Sequence, residues 1–266
     1  MARRARLDAE LVRRGLARSR DHAAALVAAG RVSVNGQVAT KPATGVERAT
    51  PVLVAEPTDG ADYVSRGGHK LAGALDAFGS LVVADRRCLD AGASTGGFTD
   101  VLLRRGAASV VALDVGYGQL AWPLRTDPRV HVVDRTNARA VSVDLIDGPV
   151  DLVVADLSFI SLRLVLPALA GVARPGADLV PMVKPQFEVG REHVGSGGVV
   201  RDPALRARAV LSVADAAAEL GYGVAGVVAS PLPGPSGNVE YFLWLRADAP
   251  PASPDEVAAA VAAGPS

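Results

Sequence analysis

Four residues stand where chemistry could be done: Lys70, Asp156, Lys184 and Glu240. Lysine is scarce in this chain, three residues against 25 arginines, and two of the three fall in this set. An arginine keeps its proton and presents a broad planar fork. A lysine is a compact charge whose pKa can be lowered by burial and by a neighbouring cation. A chain that fills its cationic positions with Arg, yet keeps Lys at 70 and 184, points to a need for the amine itself. Taken singly, each of the four is as well explained by an ordinary salt bridge. The case rests on the four together, which could align a nucleophile and manage its proton.

These positions converge only if the runs that carry them are neighbouring strands. After residue 62, strand-like runs at 87–91, 109–114, 130–133, 150–155 and 178–183 alternate with helix-length segments. That alternation predicts an α/β fold with a doubly wound, mostly parallel sheet. Residues 224–229 and 239–245 are joined by SPLPGPSG, too short for a crossover helix, so they form an antiparallel hairpin at the sheet edge. This is the layout of a Rossmann-like methyltransferase sheet rather than of a dehydrogenase. Chemistry in open α/β sheets gathers at the carboxyl ends of the strands. Asp156 and Lys184 close their runs at that edge, Glu240 opens the last one there, and Lys70 lies in SRGGHKLAGAL, which begins the helix entering the domain.

The segment RRCLDAGASTGGFTDVLLRRGA reads as strand, glycine turn and helix. Gly92, Gly96 and Gly97 allow a tight turn and close backbone approach, though an ordinary strand-to-helix turn would use glycines too. The second strand ends in Asp114, placed to bind ribose hydroxyls. The third ends in Asp134, followed by Thr136 and Asn137, which suit an adenine edge. Asp90, just before the turn, would face an ammonium. The turn is not a phosphate-binding GxxxxGK[ST] loop. A ligand with ribose and adenine but no phosphate fits, namely S-adenosylmethionine. The expected cofactor set is Asp90, Gly92, Ser94, Thr95, Gly96, Gly97 and Phe98 at the turn, with Asp114, Asp134, Thr136 and Asn137.

The N-terminal part differs in charge. Residues 1–60 hold 10 Lys+Arg against 6 Asp+Glu, whereas the whole chain is neutral. Two short helices, 7–14 and 20–29, precede Asn35-Gly36 between valines, a strong hairpin signal. A third strand follows at 51–55. The predicted domains are 1–56, a 57–62 linker, 63–247 and a 248–266 tail that holds one short helix from Pro254 capped by Ser253. The helical face offers Arg6, Arg14, Arg18 and Arg20, suited to phosphate through their paired donors. A solvated basic face is the plainer explanation of such a run.

The order of residues shifts that weighting. The stretch RLDAELVRRGLARSRDHAAALVAAGRVSVNG resembles the small RNA-binding domain named after ribosomal small-subunit protein four, matching at Arg6-Leu7-Asp8, Leu11, Gly15, Ser19-Arg20, Ala23, Gly30, Val32, Val34, Asn35 and Gly36. The resemblance implies recognition of RNA shape and phosphates. The four chemical residues resemble the Lys–Asp–Lys–Glu tetrad of FtsJ-like ribose 2′-O-methyltransferases. With SRGGHKL, DAGASTGGFTD, KPQFEVGRE, GSGGVVRD and PSGNVEYF, residues 6–246 resemble the TlyA family, whose older name is hemolysin. This implies S-adenosylmethionine-dependent methylation of cytidine 2′-hydroxyls in ribosomal RNA, of the small or large subunit or both. On this basis Lys184 activates the hydroxyl, Asp156 orients it, Lys70 steers it, and Glu240 holds Lys70 or the ribose. Arg66, Arg135 and Arg139, near the catalytic edge, are further expected RNA contacts.

Composition bounds the alternatives. The chain has 266 residues, 49% of them hydrophobic, and one cysteine, Cys88. One thiol builds neither a disulfide framework nor a thiolate metal site, and a reducing compartment is expected. The four histidines share no ligand spacing, so no metal is expected. No signal peptide or spanning segment is seen, so the expected setting is cytoplasmic. The competing readings are a membrane-active hemolysin, which would need an amphipathic or spanning segment, and a non-catalytic RNA-binding assembly factor, which the complete tetrad argues against. Oligomeric state is left open.

Overall fold

Strand 150–155 is Val-Asp-Leu-Val-Val-Ala, and its last four residues are buried on both faces. A run so apolar belongs at the centre of a parallel sheet. The computed structural model describes residues 5–28, 30–55 and 63–265 and places this strand so. The chain divides into two compact units, Met1–Asp62 and Tyr63–Ser266. The expected linker at 57–62 and the last residue of the helix expected at 20–29 lie outside the described residues.

The small unit holds β1 (Ala5–Arg6), α1 (Leu7–Arg13), α2 (Arg20–Ala28), β2 (Val32–Val34), β3 (Gln37–Val38), β4 (Gly45–Val46) and β5 (Val52–Val54). The Ser19 hydroxyl accepts from the His22 amide at 3.1 Å and so begins α2. Asn35 and Gly36 both take positive φ, 51° and 78°, which turns β2 onto β3. Strand β5 pairs on the other side of β2, and β1 pairs separately with β4. Leu7, Leu11, Ala23, Leu26, Val27 and Val32 fill a core between helices and strands.

The large unit runs α3 (Arg66–Ala77), β6 (Arg87–Ala91), α4 (Gly97–Arg104), β7 (Ser109–Leu113), α5 (Trp122–Arg125), β8 (Val130–Val133), β9 (Val150–Ala155), α6 (Leu166–Gly171), β10 (Ala173–Val183), α7 (Pro185–Glu188), α8 (Pro203–Ala218), β11 (Gly223–Ala229), β12 (Tyr241–Arg246) and α9 (Pro254–Ala262). Among the described residues the sheet order is β11-β12-β10-β9-β6-β7-β8. Strands β10, β9, β6, β7 and β8 are mutually parallel, while β12 is antiparallel to both its neighbours. Alternation along each strand feeds two cores. Leu89, Val153 and Ala155 pack under α6, α8 and α9; Cys88, Leu152 and Val154 pack under α3 and α4.

Three features refine the sequence reading. The hairpin is present, but its second strand, not its first, lies against the parallel strands. Tyr-Phe-Leu-Trp-Leu of β12 is buried throughout, whereas β11 is largely half-exposed, so the more apolar strand takes the inner place. No α-helix joins β8 to β9; a single 3₁₀ turn at Ala138–Ala140 lies in that connection. The final helix is capped by Ser253 and buries Val257 and Val261 in the main core, so the 248–266 tail packs as part of the large unit.

Candidate active site

Strand register brings Asp156, Lys184 and Glu240 to one edge, and α3 brings Lys70 to Glu240. Ala155 pairs with Ala91 and with Pro181, and the Asp156 amide donates to the Ala91 carbonyl at 3.0 Å. Val183 pairs with Tyr241, so Lys184, the residue after β10, stands across from Glu240, the residue before β12. Two ion pairs result. Lys184 Nζ lies 2.6 Å from Asp156 Oδ1. Lys70, on α3, pairs with Glu240, and both side chains are buried. The expected contact of Glu240 with Lys70 is present as an ion pair. A buried ion pair is strongly destabilised when one partner is removed, so this pair fixes α3 against the start of β12.

The glycine turn lies beside this edge. Asp114 accepts from the Ser94 amide at 2.8 Å and from the Gly116 amide at 2.7 Å, so its carboxylate is held against the turn. Asp90 is fully buried; one oxygen accepts from the Thr99 hydroxyl at 2.7 Å and the other, Oδ1, has no partner. Burial pushes the Asp90 carboxyl up to about 7; the Thr99 hydroxyl pulls it down, and the charges of Asp156 and Asp114 push it further up. Asp90 in β6 thus lies within electrostatic reach of Asp156 and Asp114, which follow β9 and β7. Their oxygens suit a ligand that presents an ammonium and sugar hydroxyls, and they oppose a phosphate. Asp134 accepts from Arg125 and from the Gly118 amide, both at 3.2 Å.

Several expected cofactor residues have other work. Phe98 is turned into the core, its ring 5.9 Å from that of Phe242. A side chain at Gly96 would run into Leu120 and Leu124, so that glycine serves packing and a φ of 98°. One at Gly97 would meet Ser65 and the Gly68 amide, where α4 crosses α3. Asn137 caps the 3₁₀ turn through the Arg139 amide, and the Thr136 hydroxyl donates to the Asp134 carbonyl. Ser94 and Thr95 are exposed at the turn.

The arginines divide in the same way. Arg14 is turned inward, bonding Glu10 and the carbonyls of Glu47, Arg48 and Thr50, so it is a bracket of the small unit rather than an open phosphate contact. Arg6 and Arg20 both pair with Asp8 while staying more than half exposed, and Arg18 is exposed. In the large unit Arg66, Arg135 and Arg139 are exposed, with Arg135 stacked 4.2 Å over the Tyr117 ring.

The FtsJ-like methyltransferase profile matches residues 63–247, and the S4 domain profile matches residues 5–50. The chain is 68% identical over 246 residues to the 16S/23S rRNA (cytidine-2′-O)-methyltransferase TlyA of Mycobacterium tuberculosis, covering 92% of this chain and 91% of that one. The chain belongs to the TlyA family of FtsJ-like methyltransferases. Hemolysin A of Brachyspira hyodysenteriae, 37% identical over 238 residues, covers 89% of this chain and 98% of its own. A solved structure from Streptococcus thermophilus, which also bears the hemolysin name, superposes with a TM-score of 0.77 at 39% identity, covering 98% of this chain and 96% of the other. Among the described residues of this TlyA-family chain, no helix is long and apolar enough to cross a membrane, and no group of three or more His, Cys, Asp or Glu could hold a metal ion.

Sequence reasoning passed over part of the site. Ser158 accepts from Lys184 Nζ at 3.0 Å. Phe159 is 90% exposed and sits at φ 65°, a conformation a bulky residue rarely adopts. Glu188 is buried and accepts from the Ser161 hydroxyl and the Leu162 amide. The adjacency of these residues to Asp156 in DLSFIS and to Lys184 in KPQFE was the available signal.

Proposed function

We propose that this protein transfers a methyl group from S-adenosylmethionine to the ribose 2′-hydroxyl of cytidine in ribosomal RNA. The observation that carries the reading is the pairing of Lys184 with Asp156 at the strand ends that also hold the glycine turn and Asp114. The Mycobacterium tuberculosis relative named above is a 16S/23S rRNA (cytidine-2′-O)-methyltransferase, which supports the same substrate here. Asp90, Asp114, Asp134 and the backbone around Gly92 are the groups that would hold the donor. When bound, S-adenosylmethionine supplies a methyl already activated by its sulfonium.

The protein's own work is then alignment and proton management. Asp156 keeps Lys184 Nζ in place. Lys184 faces the 2′-hydroxyl and either takes its proton as a neutral amine or, as an ammonium, stabilises the charge on the oxygen, as the oxygen–methyl bond forms and the sulfur–methyl bond breaks with its electron pair left on sulfur. Lys70, fixed by Glu240, adds a second positive charge that favours the developing oxyanion. The S4-type unit binds the RNA through its exposed arginines, with Arg66, Arg135 and Arg139 as contacts on the large unit.

Incubation of purified 30S and 50S subunits and of free RNA with tritiated methyl donor tests this directly. Label recovered by nuclease digestion as 2′-O-methylcytidine is the expected product. Label on a base, or none on any of the three substrates, would overturn the reading. Lysis of erythrocytes that persists in a Lys184→Ala variant would instead favour a membrane activity.

A further inference from the structure

The stretch after Asp156 and the stretch after Lys184 are fastened to each other along their length. Lys184 Nζ reaches Asp156 at 2.6 Å and donates to Ser158 Oγ at 3.0 Å. The Phe187 ring packs on Phe159 with centroids 5.3 Å apart. Glu188, closing α7, accepts from the Ser161 hydroxyl at 2.6 Å and the Leu162 amide at 2.8 Å. Within this ladder, Phe159 holds the left-handed φ of 65° that the surrounding contacts must maintain. The chain bends there, immediately after Ser158, so Ser158 is set between Asp156 on one side and a strained residue on the other.

An ammonium has three N–H groups. Ser158 accepts one, and Asp156 Oδ1 holds the charge as an ion pair at 2.6 Å, which together narrow the directions left for a substrate oxygen. With Asp156 alone, Nζ could pivot about one contact. With both, its free side is aimed. Ser158 is itself exposed, so burial gives no account of its placement against a mostly buried amine.

We propose that Ser158 is a positioning residue for methyl transfer, whose hydroxyl acts with Asp156 to aim Lys184 at the ribose 2′-oxygen. The proposal rests on the methyltransferase reading above. It predicts an effect on turnover rather than on binding, because Ser158 acts through Lys184.

The full-length Ser158→Ala and Ser158→Thr variants test it beside the unaltered protein. Losing a hydrogen bond to a charged group should lower kcat of Ser158→Ala by about tenfold. KM for the subunit, donor affinity by calorimetry and the melting temperature should stay as in the unaltered protein. Ser158→Thr, which keeps the hydroxyl, should restore turnover. A Ser158→Ala kcat within about twofold of the unaltered protein would overturn the proposal, as would a loss that threonine does not restore or one that lies wholly in KM. Those outcomes leave the methyltransferase reading standing if the unaltered protein turns over. An unaltered protein that methylates no RNA fails both.

Discussion

Gly92 lies so close to the backbone carbonyl of Asp156 that a Cβ at position 92 would overlap it. The glycine turn and the acid that holds Lys184 are therefore one packed unit, and φ at Gly92 is 88°, a region that favours glycine. Gly92→Ala should push the Asp156 backbone away and misplace Lys184. A displacement of this kind is expected to lower kcat by about a hundredfold, with a lower melting temperature. Steady-state kinetics and a thermal melt check both. Unchanged kinetics would show that the turn and the acid move independently.

Lys184→Ala and Asp156→Ala should each lower turnover by about a hundredfold or more, the range of a lost acid–base group. Neither side chain fills the core, so the thermal melt should remain cooperative. Methyl transfer to subunits at saturating donor is the measurement. Retained turnover within about tenfold of the unaltered protein would remove the residue from the chemistry.

Asp90 should make both stability and donor binding depend on pH. Its folded pKa, about 7, lies above the ordinary aspartate value of 3.8. The stability it contributes is thus fully present below 3.8 and is lost as pH rises through about 7. Without donor, Asp90→Asn should flatten that decline and be the more stable protein above neutrality. An ammonium prefers the ionised carboxylate, so donor affinity of the unaltered protein should rise through the same window, and Asp90→Asn should bind weakly with no such rise. Thermal melts and calorimetry from about pH 5 to pH 8 read both effects. Parallel slopes in the two proteins would clear Asp90 of either role.

Arg14 and Arg20 should separate stability from RNA binding. Arg14→Ala removes the bonds to Glu10 and three carbonyls and should cost the small unit on the order of 2 kcal/mol in denaturant titrations. Arg20→Ala leaves Asp8 paired with Arg6, so stability should hold. If Arg20 meets a phosphate, its loss should reduce the salt slope of subunit binding by about 0.7–0.9. An unchanged slope would exclude that contact.

The sequence alone determined the strand runs and the glycine turn, because these follow from local pattern. Valine-rich runs of five or six residues between turn signals form strands in almost any packing. An Arg-dominated chain also makes each retained lysine conspicuous, which is how Lys70 and Lys184 could be singled out. Tertiary structure decided what depends on residues distant in the chain. It chose β12 over β11 for the inner place in the sheet, by comparing the burial each could bear. It matched Glu240 to Lys70, since residues 170 apart meet only when β12 lies beside β10 and α3 packs across them. It turned Phe98 into the core and Arg14 onto three carbonyls, although a cofactor motif and a basic helix would read the same with either facing solvent. It also set Ser158 against Lys184, because a contact across two strand ends leaves no periodicity in the sequence.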